Sequence, residues 1–289
     1  MAITIPESVW ATCVESVGGF FQKIANVDPS VTAADCLAYE PRVKAARLLQ
    51  RYTLLKDKKL LDVGSGFGVA LAVFMTEFGA DGYGVEPGGE GFGPSLSASR
   101  ELLAANGIDP GRIVDGCGEK LPFPDCFFDI VYSSNSMEHV RNPELVLQES
   151  IRVLRPGGLL HFEIPNFMCY WEGHYIIPMP PILFRAMLPW WVKYVFRRDP
   201  AYAYTLNPLN PVWCRKQLRG LADRVQLVTM GEDVFLERLA TPFEFNGQRQ
   251  SSLGRIVSLI QSVNFGNWIG RTIIAAQGFH PIYLTLEKR

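Results

Sequence analysis

The sequence predicts an α/β fold in which a mainly parallel β-sheet carries helices on both of its faces. Between residues 59 and 165, short apolar runs alternate with longer segments of helical periodicity. Such alternation is typical of β–α–β units, whose strands are parallel. The chain has 289 residues, of which 48% are hydrophobic and 20% are charged. This is enough apolar material for one large core.

The core is predicted to contain five strands in regular succession. They are placed at residues 59–64, 81–87, 112–116, 127–133 and 159–165. The connecting helices are predicted at residues 69–78, 94–106 and 142–155. Pro94 suits the first position of the second helix, and Asn142 followed by Pro143 suits the N-cap and first position of the third. Residues 59–165 are therefore expected to form the α/β core of the chain.

The segments on either side of the core differ from it in composition. Residues 1–58 are expected to be helical, because Val43, Ala46 and Leu49 recur at helical spacing. Residues 166–223 are rich in proline and aromatic side chains and read as an insertion. Residues 224–289 contain two late strands, at 224–230 and 280–289, separated by a second insertion over about 232–279.

Charge and cysteine content restrict the kinds of partner. The formal net charge is -1, which does not favour nucleic acid as a partner. The six cysteines form no C-x-x-C pair, so reduced thiols and no metal site are expected. The first residues carry no basic stretch before an apolar run, which favours a cytoplasmic protein. The sequence does not indicate an oligomeric state.

A glycine turn and two carboxylates indicate a nucleoside site. Gly64 and Gly66 follow the first strand and precede a helix, and Glu86 ends the second strand, where a carboxylate can accept both ribose hydroxyls. A nicotinamide site is one alternative, but Val69 stands where its third glycine would be, and Asp62 would repel a pyrophosphate. A ligand with an ammonium and no phosphate suits Asp62 better.

Four motifs in this order resemble those of class I S-adenosylmethionine-dependent methyltransferases. They are LLDVGSGFG (60–68), GYGVEP (82–87), GEKLPFPDCFFDIVYSSNSMEHV (118–140) and RVLRPGGLLHFEIP (152–165). The sequence is most similar to the small-molecule group that includes the quinone and sterol enzymes. The resemblance implies S-adenosylmethionine as cofactor. It also implies a Rossmann-like sheet of seven strands with an antiparallel last strand. Because the two insertions leave the sheet after its last core strands, they are expected to form a helical cap over the acceptor side.

The resemblance also implies which residues bind the cofactor. They are Asp62, Gly64, Ser65, Gly66, Glu86, Cys117, Gly118, Glu119 and Ser134. Asp62 would lie near the ammonium, Glu86 would bind the ribose, and Gly118 with Glu119 would lie against adenine. Cys117 departs from the family pattern. Many members have an acidic residue there that accepts a hydrogen bond from the adenine amino group, whereas a thiol is a weak acceptor.

Two histidines are candidates for the catalytic residues. His139 follows the fourth strand and His174 follows the fifth, on the side where the family binds the methyl acceptor. An imidazole can take a proton from an acceptor hydroxyl near neutral pH. The alternatives are a polar loop residue for His139 and a packed loop residue for His174. Glu172, two positions before His174, is an alternative candidate for the base. Methyl transfer can also proceed by alignment and desolvation without a base.

The expected function is methylation of a small-molecule, lipid-linked or glycan-type acceptor. An NAD(P)-dependent oxidoreductase and a non-catalytic binding module are the alternatives. Trp190 and Trp191 lie near basic residues that would suit an anionic lipid surface, although a helix packed on the core explains them equally well. These basic residues are Arg185, Lys193, Arg197 and Arg198. Peripheral contact with a membrane is therefore a hypothesis.

Overall fold

The computed structural model describes residues 3–89, 93–179, 187–240 and 266–289. These residues contain a seven-stranded sheet in the order β3-β2-β1-β4-β5-β9-β8. Its strands are β1 (Lys59–Val63), β2 (Asp81–Glu86), β3 (Ile113–Asp115), β4 (Phe128–Ser134), β5 (Leu154–Ile164), β8 (Val225–Thr229) and β9 (Ile282–Lys288). A separate two-stranded hairpin is formed by β6 (Trp171–Glu172) and β7 (Ile177–Pro178).

The first five strands of the sheet are parallel, and the last strand is antiparallel. Strand β9 lies between β5 and β8 and runs antiparallel to both. The seven-stranded sheet with an antiparallel final strand is therefore confirmed. Strand β5 begins earlier than predicted, because the helix before it ends at Val153 and Leu154 already pairs with Phe128 of β4. Residues 155–157 are an exposed part of this strand, whereas Gly158 is buried.

Helices surround the sheet and extend along the N-terminal segment. They are α1 (Glu7–Cys13), α2 (Gly19–Ala25), α3 (Pro29–Cys36), α4 (Tyr39–Leu49), α5 (Val69–Thr76), α6 (Gly93–Ala105), α7 (Pro143–Val153), α8 (Leu188–Trp190), α9 (Pro211–Gly220), α10 (Glu232–Ala240) and α11 (Gly266–Ala275). Asn142 caps α7 as predicted, since its side chain accepts hydrogen bonds from the amides of Glu144 and Leu145. Among the described residues, no helix is both long enough and apolar enough to cross a bilayer.

Neighbouring side chains on a strand point to opposite faces of the sheet, and both faces are covered. Leu60 of β1 packs with Leu49 of α4 and Phe74 of α5. Leu61, the next residue, packs with Val146 and Ile151 of α7 on the other face. Strands buried on both sides need this continuous apolar character. Helices on both faces of the sheet, as predicted, are thus confirmed.

The N-terminal helices pack against the segment that follows β5. Ile24 and Ala25 of α2 share an apolar cluster with Tyr175, Ile177 and Val192. This contact joins two parts of the chain that are far apart in sequence, and it places both beside the carboxyl ends of the strands. Part of the predicted cap, including Ile182 and Arg185, and residues 241–265 of the second insertion lie outside the described residues.

Candidate functional site

A large cavity opens at the carboxyl ends of the parallel strands, where α/β sheets bind ligands. Its volume is about 1660 Å³. Every site residue expected from the sequence lines this cavity: Asp62, Gly64, Ser65, Gly66, Glu86, Cys117, Gly118, Glu119, Ser134, His139 and His174. The structure therefore brings the expected cofactor residues and the two histidines into one space. The cofactor residues lie at or just after the ends of β1, β2, β3 and β4, and the histidines lie beyond β4 and β5.

The turn after β1 depends on glycine at two positions. Gly64 has φ +76° and Gly66 has φ +53°, in the left-handed region that favours glycine. A Cβ atom at Gly64 would lie 2.4 Å from the Ser136 hydroxyl, while at Gly66 there is nothing within 4 Å. The space beside Gly64 is thus filled by Ser136, whereas the space beside Gly66 is empty. Ser136, in the loop after β4, donates a hydrogen bond to the Gly64 carbonyl at 3.3 Å and was not expected from the sequence.

Glu86 connects the glycine turn to the start of α6. One carboxylate oxygen accepts a hydrogen bond from the Gly66 amide at 2.8 Å, and the other accepts one from the Ser95 hydroxyl at 2.7 Å. Burial raises the pKa of Glu86, and these two bonds oppose the rise. The carboxylate is therefore held at the end of β2, facing the cavity, where a ribose would be bound.

Asp62 fits the amino group of a cofactor. Its side chain is buried, and its Oδ2 atom has no hydrogen-bond partner. Burial, followed by the charge of Glu86, raises the pKa of Asp62 to about 7, while Arg42 and Ser65 oppose the rise. A buried acceptor without a partner is rare and points to a missing donor. The ammonium of S-adenosylmethionine would supply that donor.

Arg42 is a site residue that the sequence analysis missed. It lies on α4, lines the cavity and donates a hydrogen bond to the Cys36 carbonyl at 2.9 Å. A guanidinium near Asp62 would suit the carboxylate of the same amino-acid group. Arg42 lies among N-terminal helices whose position depends on tertiary packing, so no local motif could have identified it.

The expected adenine end is formed mainly by backbone and by packed side chains. Gly118 is buried, and a Cβ atom there would lie 3.0 Å from Val146. Cys117 is exposed, and Glu119 accepts hydrogen bonds from the amides of Arg141 and Asn142 at 2.8 and 3.2 Å. Glu119 thus fixes the loop that leads into α7, in addition to lining the cavity.

A cluster of ionisable side chains lies at the other end of the cavity. Glu138 is 1% exposed, and its Oε1 atom lies 3.5 Å from Nε2 of His139 and 3.9 Å from Nε2 of His174. The ring centroids of His139 and His174 are 5.1 Å apart, and Nδ1 of His139 lies 3.2 Å from the Tyr202 hydroxyl. His139 and His174 therefore lie together, as their common placement on the acceptor side implied, whereas Glu138 was not expected to be part of the site.

Glu172 holds His174 in place. Its Oε1 atom lies 2.7 Å from Nδ1 of His174, and its Oε2 atom accepts a hydrogen bond from the Tyr175 amide at 2.6 Å. Burial lowers the pKa of His174, but the bond to Glu172 and the charges of Glu172 and Glu138 outweigh it, so the pKa is raised overall. His174 therefore has the geometry of an oriented base.

In the other two members of the cluster, Glu138 and His139, burial decides the direction of the pKa shift. Burial raises the pKa of Glu138 to about 7, although the neighbouring His174 opposes the rise. Burial, followed by the charge of His174, lowers the pKa of His139 to about 3. His139 is therefore neutral at physiological pH, and one of its ring nitrogens is free to accept a bond.

Aromatic side chains from two parts of the chain surround this end of the cavity. They are Phe20, Phe21, Phe167, Trp171 and Tyr202. Phe20 contacts Tyr202 with ring centroids 4.6 Å apart. The contribution of α2 was not predicted, because the apolar residues of that helix could equally have packed on the core.

Comparisons with known proteins agree with the motifs. A family model described as a methyltransferase domain matches residues 61–162. An uncharacterized methyltransferase of Mycolicibacterium paratuberculosis is 40% identical over 118 residues, which are 40% of this chain and 43% of that protein. An uncharacterized protein of Mycobacterium tuberculosis is 34% identical over 128 residues, 41% of this chain and 40% of that protein. The chain spans about two fifths of the length of these curated relatives.

A solved structure has the same fold over most of the chain. It is geranyl diphosphate C-methyltransferase from Streptomyces coelicolor A3(2), in complex with Mg²⁺, geranyl diphosphate and S-adenosyl-L-homocysteine. The TM-score is 0.53 and the identity 18%, over 86% of this chain and 78% of that one. At this identity the likeness shows the fold alone.

Proposed function

We propose that this chain, a class I S-adenosylmethionine-dependent methyltransferase, transfers a methyl group to a hydroxyl of a small-molecule or lipid-linked acceptor with an apolar or ring-shaped part. The observation that carries the proposal is the single cavity that joins the Asp62–Glu86 pair to the Glu138–His139–His174 cluster. One end suits a nucleoside with a cationic amino-acid group, and the other offers proton acceptors among aromatic rings.

The cofactor end supports methyl transfer rather than hydride transfer. S-adenosylmethionine supplies, when bound, a sulfonium methyl group that passes to the acceptor as the carbon–sulfur bond breaks. Asp62 and Arg42 would hold the amino-acid group, and Glu86 would hold the ribose. A nicotinamide cofactor would instead place its pyrophosphate beside the buried Asp62, and Val69 stands in place of the third glycine of that fingerprint.

The acceptor end would prepare the nucleophile. His174, oriented by Glu172, would take the proton of the acceptor hydroxyl on Nε2 as the oxygen–methyl bond forms. His139 would orient the acceptor, because its lowered pKa keeps it neutral. General-base assistance of this kind contributes about 10²–10⁴-fold to rates, and the enclosed position among aromatic rings would add alignment and exclusion of water.

The aromatic lining supports an acceptor that is apolar or that stacks, such as a lipid tail or a sugar ring. The outer face of the nearby segment supports a lipid-linked acceptor in particular. Trp190 and Tyr194 are 50% and 60% exposed, and Lys193 and Arg197 are exposed beside them. Aromatic and basic side chains together favour an anionic lipid surface. Arg198 belongs to the interior instead, because its guanidinium donates to the Tyr175 carbonyl.

The proposal is tested by incubating the purified protein with labelled S-adenosylmethionine and a fractionated cell extract, and by identifying the labelled product. Label in a hydroxyl-bearing small molecule or lipid is the expected outcome. Label only in protein or nucleic acid would contradict the acceptor class. Failure to bind the cofactor in calorimetry would contradict the reaction itself.

A further inference from the structure

We propose that Glu138, His139 and His174 bind a divalent transition-metal cation at the acceptor end of the cavity. The donor atoms of these three residues all lie within 4.8 Å of one another. Bonds from a first-row cation to imidazole nitrogen and carboxylate oxygen are about 2.0–2.2 Å long, so three ligands spread around one cation lie about 3.3–3.8 Å from one another. The Oε1 atom of Glu138 is already 3.5 Å from Nε2 of His139 and 3.9 Å from Nε2 of His174. Binding therefore requires the most widely separated pair of donor atoms to close by on the order of 1 Å.

The buried carboxylate of Glu138 is a second and independent indication of a missing ligand. Its side chain is 1% exposed, and its Oε2 atom has no hydrogen-bond partner. A carboxyl oxygen that is removed from water without a hydrogen-bond partner is disfavoured. A cation bound between Glu138 and the two imidazoles would provide that partner.

The surroundings of the histidines are those of metal ligands. If Nδ1 of His174 donates to Glu172, as the 2.7 Å contact indicates, the lone pair of Nε2 faces Glu138. If Nδ1 of His139 donates to the Tyr202 hydroxyl, its Nε2 also presents a lone pair to Glu138. Carboxylates that orient metal-binding imidazoles in this way are a regular feature of metal sites.

The ligand set indicates which cation would bind. Two imidazoles and one carboxylate favour Zn²⁺, Fe²⁺, Co²⁺ or Ni²⁺, whereas Mg²⁺ and Ca²⁺ prefer oxygen ligands throughout. Three protein ligands leave coordination positions open toward the cavity, as in catalytic rather than structural sites. Cysteine spacing, from which no metal site is predicted, gives no sign of this cluster, because its ligands come from loops after two different strands.

The role of the cation rests on the proposed function, although its binding does not. An acceptor hydroxyl that ligates the cation would have a lower pKa and would release its proton to water. The cation would then take over from His174 the task of making the acceptor oxygen more nucleophilic. His174 would act as a ligand, with Glu172 as its positioning residue.

The site is tested by titrating Co²⁺ into chelator-treated protein and following the visible absorption of the bound ion. We expect saturation at one ion per chain for the wild type. We expect at least tenfold weaker binding for Glu138→Gln and for His174→Gln, and a smaller loss for Glu172→Gln, which changes only the orientation of a ligand. His280→Gln is the matched control, because it removes a histidine outside the cluster and should bind Co²⁺ like the wild type.

Circular dichroism and calorimetry with S-adenosylmethionine on the same samples keep the outcomes distinct. Folded wild-type protein that binds the cofactor but no Co²⁺ or Zn²⁺ would overturn the metal site and leave the proposed function intact. Equal Co²⁺ binding by the wild type and by folded Glu138→Gln would also overturn it. Co²⁺ binding without cofactor binding would support the metal site and contradict the proposed function.

Discussion

The Nδ1 atom of His174 lies 2.7 Å from the Oε1 atom of Glu172, two positions earlier in the chain. The other oxygen of Glu172 is held by the Tyr175 amide, so the carboxylate cannot turn away from the imidazole. This pair orients Nε2 of His174 toward Glu138 and toward the cavity. The arrangement leads to a prediction about turnover and its dependence on pH.

His174→Gln should lower the turnover number about a hundredfold or more, while the affinity for S-adenosylmethionine changes little. In metal-free protein the rate should rise with pH through the raised pKa of His174, because the base must be neutral. Glu172→Gln removes the main causes of that raised pKa, so this rise should move to lower pH. His139→Gln should have a smaller effect. These rates are measured with an identified acceptor, in the presence and absence of a chelator. Full turnover by His174→Gln under both conditions would leave alignment alone to explain the chemistry.

Glu86→Ala should weaken the binding of S-adenosylmethionine. The substitution removes the carboxylate expected to accept two charge-assisted hydrogen bonds from the ribose, each contributing about 1.5–3 kcal/mol. Loss of even one of them raises the dissociation constant by about tenfold or more. Calorimetry measures the affinity, and Glu287→Ala, an exposed glutamate on β9, is the control. Equal affinities for both variants and the wild type would mean that Glu86 does not bind the ribose.

Gly64→Val should abolish cofactor binding. A Cβ atom at this position would lie 2.4 Å from the Ser136 hydroxyl, and the φ of +76° is unfavourable for any residue with a side chain. The turn would have to move into the cofactor space. Gly220→Val, at the end of α9 with open space around it, is the control and should bind normally. Cofactor binding by a folded Gly64→Val protein would show that this turn is not part of the site.

The affinity for S-adenosylmethionine should fall as the pH is lowered from 8 to 6. The pKa of Asp62 is raised to about 7, so the side chain becomes protonated over this range and can no longer pair with the ammonium of the cofactor. The loss should approach tenfold per pH unit below the pKa. Asp62→Asn should bind weakly at every pH and show no such dependence. An affinity of the wild type that is constant between pH 6 and 8 would contradict this role of Asp62.

Binding to lipid vesicles should require anionic lipid and the exposed face of the segment after β7. Wild-type protein should float with vesicles that contain phosphatidylserine, and less so at high salt, because the charges involved are exposed. Replacing Trp190, Lys193 and Arg197 by Ser should abolish flotation without changing cofactor affinity. If neither the wild type nor the variant floats with the vesicles, these side chains serve only in packing. That result would favour a soluble acceptor.

The sequence determined the parts of this protein that depend on local patterns. The alternation of short apolar runs and helical segments predicted the parallel core, and the position of Glu86 at the end of the second strand predicted a nucleoside site at the edge of the sheet where the cavity lies. Turns that need glycine and strands that are buried on both faces leave clear signals in the order of residues. The motifs then placed the antiparallel last strand by resemblance.

Only the tertiary structure decided which side chains line the two ends of the cavity. Arg42 and Phe20 reach the cavity because the N-terminal helices pack on the segment after β5, and Glu138 meets His174 because the loops after β4 and β5 converge. These contacts join residues that are distant in the chain and carry no local periodicity. Burial also sets their chemistry, since the shifted pKa values of Asp62 and Glu138 arise chiefly from removal of their carboxylates from water.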